Sequence, residues 1–233
     1  MADTTRGPAA APAPARDPVP ARCAPRAAWL APALLLFCAP LLHAATTDET
    51  RIPMTSDDSA RTEVSAPGVT LQAGFTSGES GALHVHYRLH NSGSVPLAVF
   101  DRGDRHAVLT KRQAPGAMGL PFVREDAPGR VSLLHVVRAL PQPAPTVPPT
   151  PLARRLDPGA SSEGDFTFTQ WLSDPPRQVR WCLGVAPFDE GRMVLPETVD
   201  GLEVWQADFA YADDQQLLCT PWFHVAAGRF VEE

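Results

Sequence analysis

Leu83, Val85, Tyr87 and Leu89 alternate strictly with His84, His86, Arg88 and His90. A period of two puts the first set on one face of an extended chain and the second on the other, which defines a strand half-buried against a core. The same period runs through Val69, Leu71, Ala73 and Phe75, with Ser77-Gly78-Glu79-Ser80-Gly81 as the intervening turn. Asn91-Ser92-Gly93-Ser94 reads as a second turn, and Pro96 to Phe100 as the returning strand of a hairpin. Further strands are expected at 106–110, 130–138, 164–170, 178–186 and 215–225, with weaker signals at 152–156 and 203–209. No stretch sustains a helical period; 206–217 comes nearest but is short and acidic. The pattern predicts an all-β fold, an antiparallel β-sandwich of seven to nine strands forming a single domain over 68–228. Pro141 to Pro151 holds six prolines in eleven residues and favours polyproline II geometry. It reads as a surface excursion of that domain, because the strands before it are too few to close a sandwich alone.

Two segments resemble a known fold class. Tyr87-Arg88-Leu89-His90-Asn91-Ser92-Gly93-Ser94-Val95-Pro96-Leu97-Ala98-Val99 looks like the strand–turn–strand of bacterial immunoglobulin-like domains, where an Asn-x-Gly turn joins two core strands. Leu156-Asp157-Pro158-Gly159-Ala160-Ser161, followed by Phe166 and Phe168, looks like the Pro-Gly turn before a late strand of the same class. The resemblance covers some thirty residues and implies an immunoglobulin-like sandwich. Such domains serve adhesion, assembly, inhibition and scaffolding, so the fold does not choose a function. The Asn-turn-Pro hairpin is also similar to that of small proteinase inhibitors; an inhibitor of this kind would present 141–151, a segment suggested by its proline rigidity alone.

The N-terminus has the order of a secretory signal. Arg6, Arg16, Arg22 and Arg26 precede an apolar stretch from Ala27 to Leu42, and His43-Ala44-Ala45 supplies small residues for cleavage. Residues 1–44 are therefore expected to be a signal peptide cut after Ala44, with Ala45 as the alternative. The long basic region leaves room for a translation start downstream of Met1. A spanning helix needs roughly 20 apolar residues; this stretch has 16, with Pro32 and Pro40 in it. No stable membrane span is expected after cleavage. Phe37 before Cys38 does not resemble a lipoprotein signal. Residues 45–67 are polar and aperiodic and read as a flexible lead-in, with order beginning near Val69. The expected localisation is periplasmic or secreted.

Cys23 and Cys38 would leave with the signal. Cys182 and Cys219 remain, and an even pair in an oxidising compartment predicts a disulfide. Cleavage also removes four arginines and two aspartates from totals of 20 basic and 26 acidic residues, leaving 16 and 24. So acidic a chain, with Lys111 as its only lysine and no basic run, is a poor partner for nucleic acid or an anionic membrane.

Three histidines, His84, His86 and His90, share one strand face, with neighbours two residues apart about 6–7 Å from each other. That spacing suits joint ligation of copper or zinc, and His84-Val85-His86 resembles the first copper ligands of copper–zinc superoxide dismutase. No downstream histidine series or aspartate completes that pattern, so the activity is not implied. A solvent face would also be polar here, and Arg88 stands among the candidate ligands. No Gly-x-Ser-x-Gly elbow occurs. Asp57-Asp58, Asp189-Glu190 and Asp213-Asp214 fall in expected loops rather than across a cleft. Trp171, Trp181, Trp205, Trp222, Phe209 and Tyr211 crowd the last third of the chain beside both cysteines. Most should be core, whereas Trp205 and Tyr211, flanked by Glu203, Asp208, Asp213 and Asp214, are candidates for an acidic, aromatic partner-binding rim. Together these features favour a non-enzymatic interaction or accessory module with no cofactor, whose partner is another periplasmic or envelope protein.

Overall fold

The computed structural model describes residues 60–78, 81–171 and 175–231. The expected signal peptide, its cleavage site, Cys23, Cys38 and most of the lead-in lie outside them. In chain order the strands are β1 Arg61–Ala66, β2 Val69–Ser77, β3 Leu83–Asn91, β4 Leu97–Val99, β5 Phe122–Ala127, β6 Arg130–His135, β7 Leu152–Leu156 and β8 Ser161–Phe168. They continue with β9 Gln178–Pro187, β10 Met193–Val199, β11 Leu202–Ala207, β12 Gln216–Cys219, β13 Trp222–His224 and β14 Arg229–Val231. Two short helices are present, α1 Arg105–Leu109 and α2 Tyr211–Asp214.

The strands form two sheets. The smaller has the order β1-β2-β3-β8, all antiparallel. The larger has ten strands and divides at β9. The first half of β9 pairs in parallel with β6, which carries β5; its second half pairs with β4, which leads outward through β7 and β11 to β10. Along its other edge β9 meets β13 and then β12. Inward residues of the small sheet, among them Leu71, Phe75, Val85 and Leu89, pack against Leu133, Val179, Trp181, Leu183 and Phe223 of the large one.

The half of the large sheet around β4 is covered on both faces. Ala98, Phe100, Ala153, Ala186, Met193, Ala207 and Tyr211 form a second apolar cluster on the side away from the small sheet. Strand β4 is consequently buried at every residue. Alternation fails as a guide in such doubly covered strands.

The fold is all-β, as the period of two implies, but several expectations need correction. Fourteen strands are present among the described residues, not seven to nine. A strand precedes Val69: β1, Arg61–Ala66, is held by pairing along the whole of its length with β2. Residues 106–110 are not a strand: Asp104 Oδ1 accepts from Ala107 N at 2.8 Å and caps a helix there. Strands β3 and β4 are not a hairpin either; they lie in different sheets. Asn91 is fully buried and directs that crossing. Its side-chain amide donates to Val95 O at 2.9 Å and Leu156 O at 3.0 Å, while its Oδ1 accepts from Gly93 N at 3.0 Å. The Pro158-Gly159 turn makes the second crossing beside it, with Gly159 N donating to Asn91 O at 2.8 Å and Gly159 at a φ of 73°. The Pro-rich excursion is described throughout, and residues 141–147 are exposed.

Candidate functional site

Between the two sheets a charged group replaces apolar packing. Tyr87 points inward from β3 and its hydroxyl donates to Asp101 Oδ2 at 2.6 Å. Arg154, at an inward position of β7, places Nε 2.9 Å and Nη2 2.8 Å from the same oxygen, and Arg102 Nε lies 3.0 Å from Oδ1. Asp101 and Tyr87 are at most 1 % exposed and Arg154 is 4 % exposed. Burial would raise the Asp101 carboxyl, yet the guanidiniums of Arg154 and Arg102 outweigh it and hold the group below the usual carboxylate value. Burial, and then the Asp101 charge, push the Tyr87 phenol upward. Arg154 loses solvation as well, and Asp101 more than compensates, so the cation is retained.

A second polar chain runs beside the first. Trp181 Nε1 donates to His135 Nδ1 at 2.9 Å, and His135 Nε2 lies 2.7 Å from Gly119 O. A ring accepting at Nδ1 and donating at Nε2 is the neutral tautomer. Burial pushes His135 down to about 4, the Gly119 carbonyl opposing that shift. Its ring meets Phe166 edge-on at 4.9 Å, and Trp181 meets Tyr87 at 4.8 Å. Neither Asp101 nor Arg154 belongs to a motif in the sequence, and His135 stands out there only as a conditional third metal donor. The available signal was phase, since Arg154 in Leu152-Ala153-Arg154-Arg155-Leu156 occupies the inward register and an arginine there needs a buried anion.

The three candidate histidines point outward together. Each faces a polar residue on β8: His84 is opposite Thr167, His86 opposite Asp165 and His90 opposite Ser161. The Nδ1 of His84 lies 2.8 Å from Thr167 Oγ1 and that of His90 lies 3.0 Å from Ser161 Oγ. Arg88 stands between them, 3.6 Å from Glu163. No group of three or more His, Cys, Asp or Glu side chains that could hold a metal occurs among the described residues.

Cys182 and Cys219 are bonded, and they are register partners on neighbouring strands β9 and β12. Tyr211 is buried at 1 % exposure rather than lying on a rim. Its ring stands 5.3 Å from Phe100, with Arg192 over it at 3.9 Å, because the second apolar cluster needs a lid. Trp205 is half-buried, edge-on to Phe188 at 5.3 Å, and its Nε1 donates to Glu203 at 3.1 Å. The best-formed crevices are small: one beside Phe122, Arg138 and Phe209 has about 20 Å³, and one beside Arg105 and Leu195 about 10 Å³. Each has room for a water molecule rather than a metabolite.

No protein-family model, no curated protein and no solved structure matches the chain. What stands is the class: an all-β protein with a disulfide, and with no helix among the described residues long and apolar enough to cross a membrane.

Proposed function

We propose that the chain is an exported, non-enzymatic interaction module, an immunoglobulin-like sandwich that binds another protein of the periplasm or cell envelope. One observation carries this reading. The groups with displaced titration inside the sandwich, Tyr87, Asp101, Arg154 and His135, spend their polar atoms on one another and on Trp181 and Gly119. Groups so perturbed are candidates for catalysis when they face a cleft; these are sealed in the core, which leaves the outer faces for recognition. The disulfide supports export, since such bonds persist in oxidising compartments. Support for the immunoglobulin-like reading comes from the two adjacent corners at Asn91 and Gly159, each passing the chain from one sheet to the other.

The test is affinity capture from envelope extract by the mature protein, followed by reconstitution with the purified partner and measurement of stoichiometry. A saturable complex of fixed stoichiometry is expected. Turnover of a substrate by the isolated protein, with no complex formed, would replace the reading.

A further inference from the structure

The outer face of the β5–β6–β9–β13 arm gathers positive charge on a chain whose total is negative. Val179, Trp181 and Phe223 of this arm point into the core, so the residues alternating with them point away from it. Register then sets out rows. Arg124, Ser132 and Arg180 stand opposite one another across β5, β6 and β9. One row along, Arg130 is opposite Gln178, which is opposite His224, which is opposite Arg229. Trp222 lies on this outer face yet is only 4 % exposed. Its cover is the guanidiniums of Arg180 and Arg130, centred 4.6 Å and 5.4 Å from the ring. Arg138 covers Phe122 in the same way at 4.1 Å.

Elsewhere several arginines are matched to acids, among them Arg88 with Glu163, Arg105 with Glu197, Arg155 with Asp157 and Arg192 with Asp214. On this face one carboxylate among the described residues serves the group. Asp126 lies 3.0 Å from Arg124 and 3.4 Å from Arg180, and also accepts from the Ser132 hydroxyl. Arg130 and Arg138 form no ion pair among the described residues; Arg130 Nε donates to Gln178 Oε1 at 2.6 Å. Placed over an aromatic ring and held by a hydrogen bond, the Arg130 guanidinium has already lost part of the rotamer freedom that binding would remove.

We propose that this face docks an acidic, extended segment of the partner protein. The proposal rests on the interaction-module reading and adds its location and the partner's chemistry. Charge complementarity selects an anion, and the planar fork of arginine is shaped for carboxylate. Geometry selects an extended chain: successive rows are two residues apart along each strand, about 6–7 Å, which is also the spacing of alternate side chains in a second extended segment. A partner presenting glutamate or aspartate at every other residue would therefore meet Arg130, Arg180 and Arg138 in turn.

The mature protein is titrated with a labelled peptide of alternating glutamate and serine, its glutamine counterpart, and vesicles of phosphatidylglycerol. Binding of the glutamate peptide alone is expected, weakening as salt is added and falling about tenfold in Arg130→Gln/Arg138→Gln. That pair spares the Arg180–Ser132–Asp126 bonds, and an unchanged thermal midpoint certifies the fold. Equal binding by the variant, or none by the wild type, overturns the proposal. Vesicle binding without peptide binding overturns it as well, since the face would then read a lipid surface. If the double variant still captures the same envelope partner with full affinity, the interaction-module reading stands and this face is excluded.

Discussion

Gly164 lies beneath the ring of Tyr87, its register partner across β3 and β8, so closely that a Cβ at position 164 would stand 2.5 Å from the phenol oxygen. The ring has nowhere to retreat, because its hydroxyl is fixed on Asp101 and its face on Trp181. Gly164→Ala should therefore destabilise the protein by about 2 kcal/mol, as overpacking of a closed core does. In a Tyr87→Phe background the clash eases and the penalty shrinks, which a double-mutant cycle in urea measures; additive effects would count against the coupling.

Removing the acid should cost more than removing its phenol donor. Asp101→Asn leaves the buried Arg154 without its counter-charge, and breaking such a pair costs about 3–5 kcal/mol. Tyr87→Phe deletes one hydrogen bond while both guanidiniums stay on the carboxylate, a loss of about 1–3 kcal/mol. Chemical denaturation ranks the two, and a reversed order would mean that the phenol, not the ion pair, holds the sheets in register.

Acid should weaken the fold through His135. In the unfolded chain the imidazole binds a proton near its ordinary value of 6.5, whereas in the folded state burial holds it down to about 4. The unfolded state thus takes up the proton first, and stability falls as pH drops from 6.5 towards 4, by about 3 kcal/mol in total. Asp101 acts in a different window: its folded value is lowered, so its contribution is lost only below the unfolded carboxylate value. Urea midpoints measured from pH 7 to 4 should decline, and His135→Gln should flatten that slope even at lower overall stability. A slope unaltered in the variant would assign it to other groups.

Reduction of Cys182–Cys219 should lower stability by roughly 4 kcal/mol in the chain-entropy model, given a sequence separation of 37. The bonded pair already lies in register within one sheet, so the reduced protein should keep its far-ultraviolet circular dichroism while its urea midpoint drops. Loss of the β signal on reduction alone would show that β12 depends on the bond for its pairing.

The histidine face should not retain metal. His84 and His90 each have Nδ1 within hydrogen-bond distance of a hydroxyl, with a guanidinium between them. Elemental analysis of the protein purified without chelator is expected to find copper and zinc well below one equivalent. Near-stoichiometric metal lost in His86→Ala would instead make this face a metal site.

Legibility in the sequence followed locality. Strands β2 and β3 are written in their own alternation, and the pairing of Cys182 with Cys219 followed from the two cysteines left once an export signal is assigned. The crossing after β3 was not readable, because Asn91 is held by a carbonyl at Leu156, 65 residues away. Helix α1 was misjudged since Ala107, Val108 and Leu109 carry β-like apolar character, and the deciding signal is one cap at Asp104. Tyr211 stands among acids in the sequence, but the second apolar cluster that buries it joins nearby β10 and β11 to β4, β7 and β9, which are more distant in sequence. The arginine face is hidden for a similar reason: its arginines come from β5, β6, β9 and β14 and from the segment after β6, and form no run.

The division of the large sheet at β9 also orders events along the growing chain. The small sheet has all four of its strands once Phe168 is made, whereas β4 and β6 lack their common neighbour until Gln178 to Pro187 has emerged. For that interval Leu71, Phe75 and Leu89 lack the Val179, Trp181 and Leu183 centre of their facing layer. A polypeptide in this state presents an apolar sheet face to its surroundings, so the interval before β9 arrives is when the nascent protein most needs a chaperone.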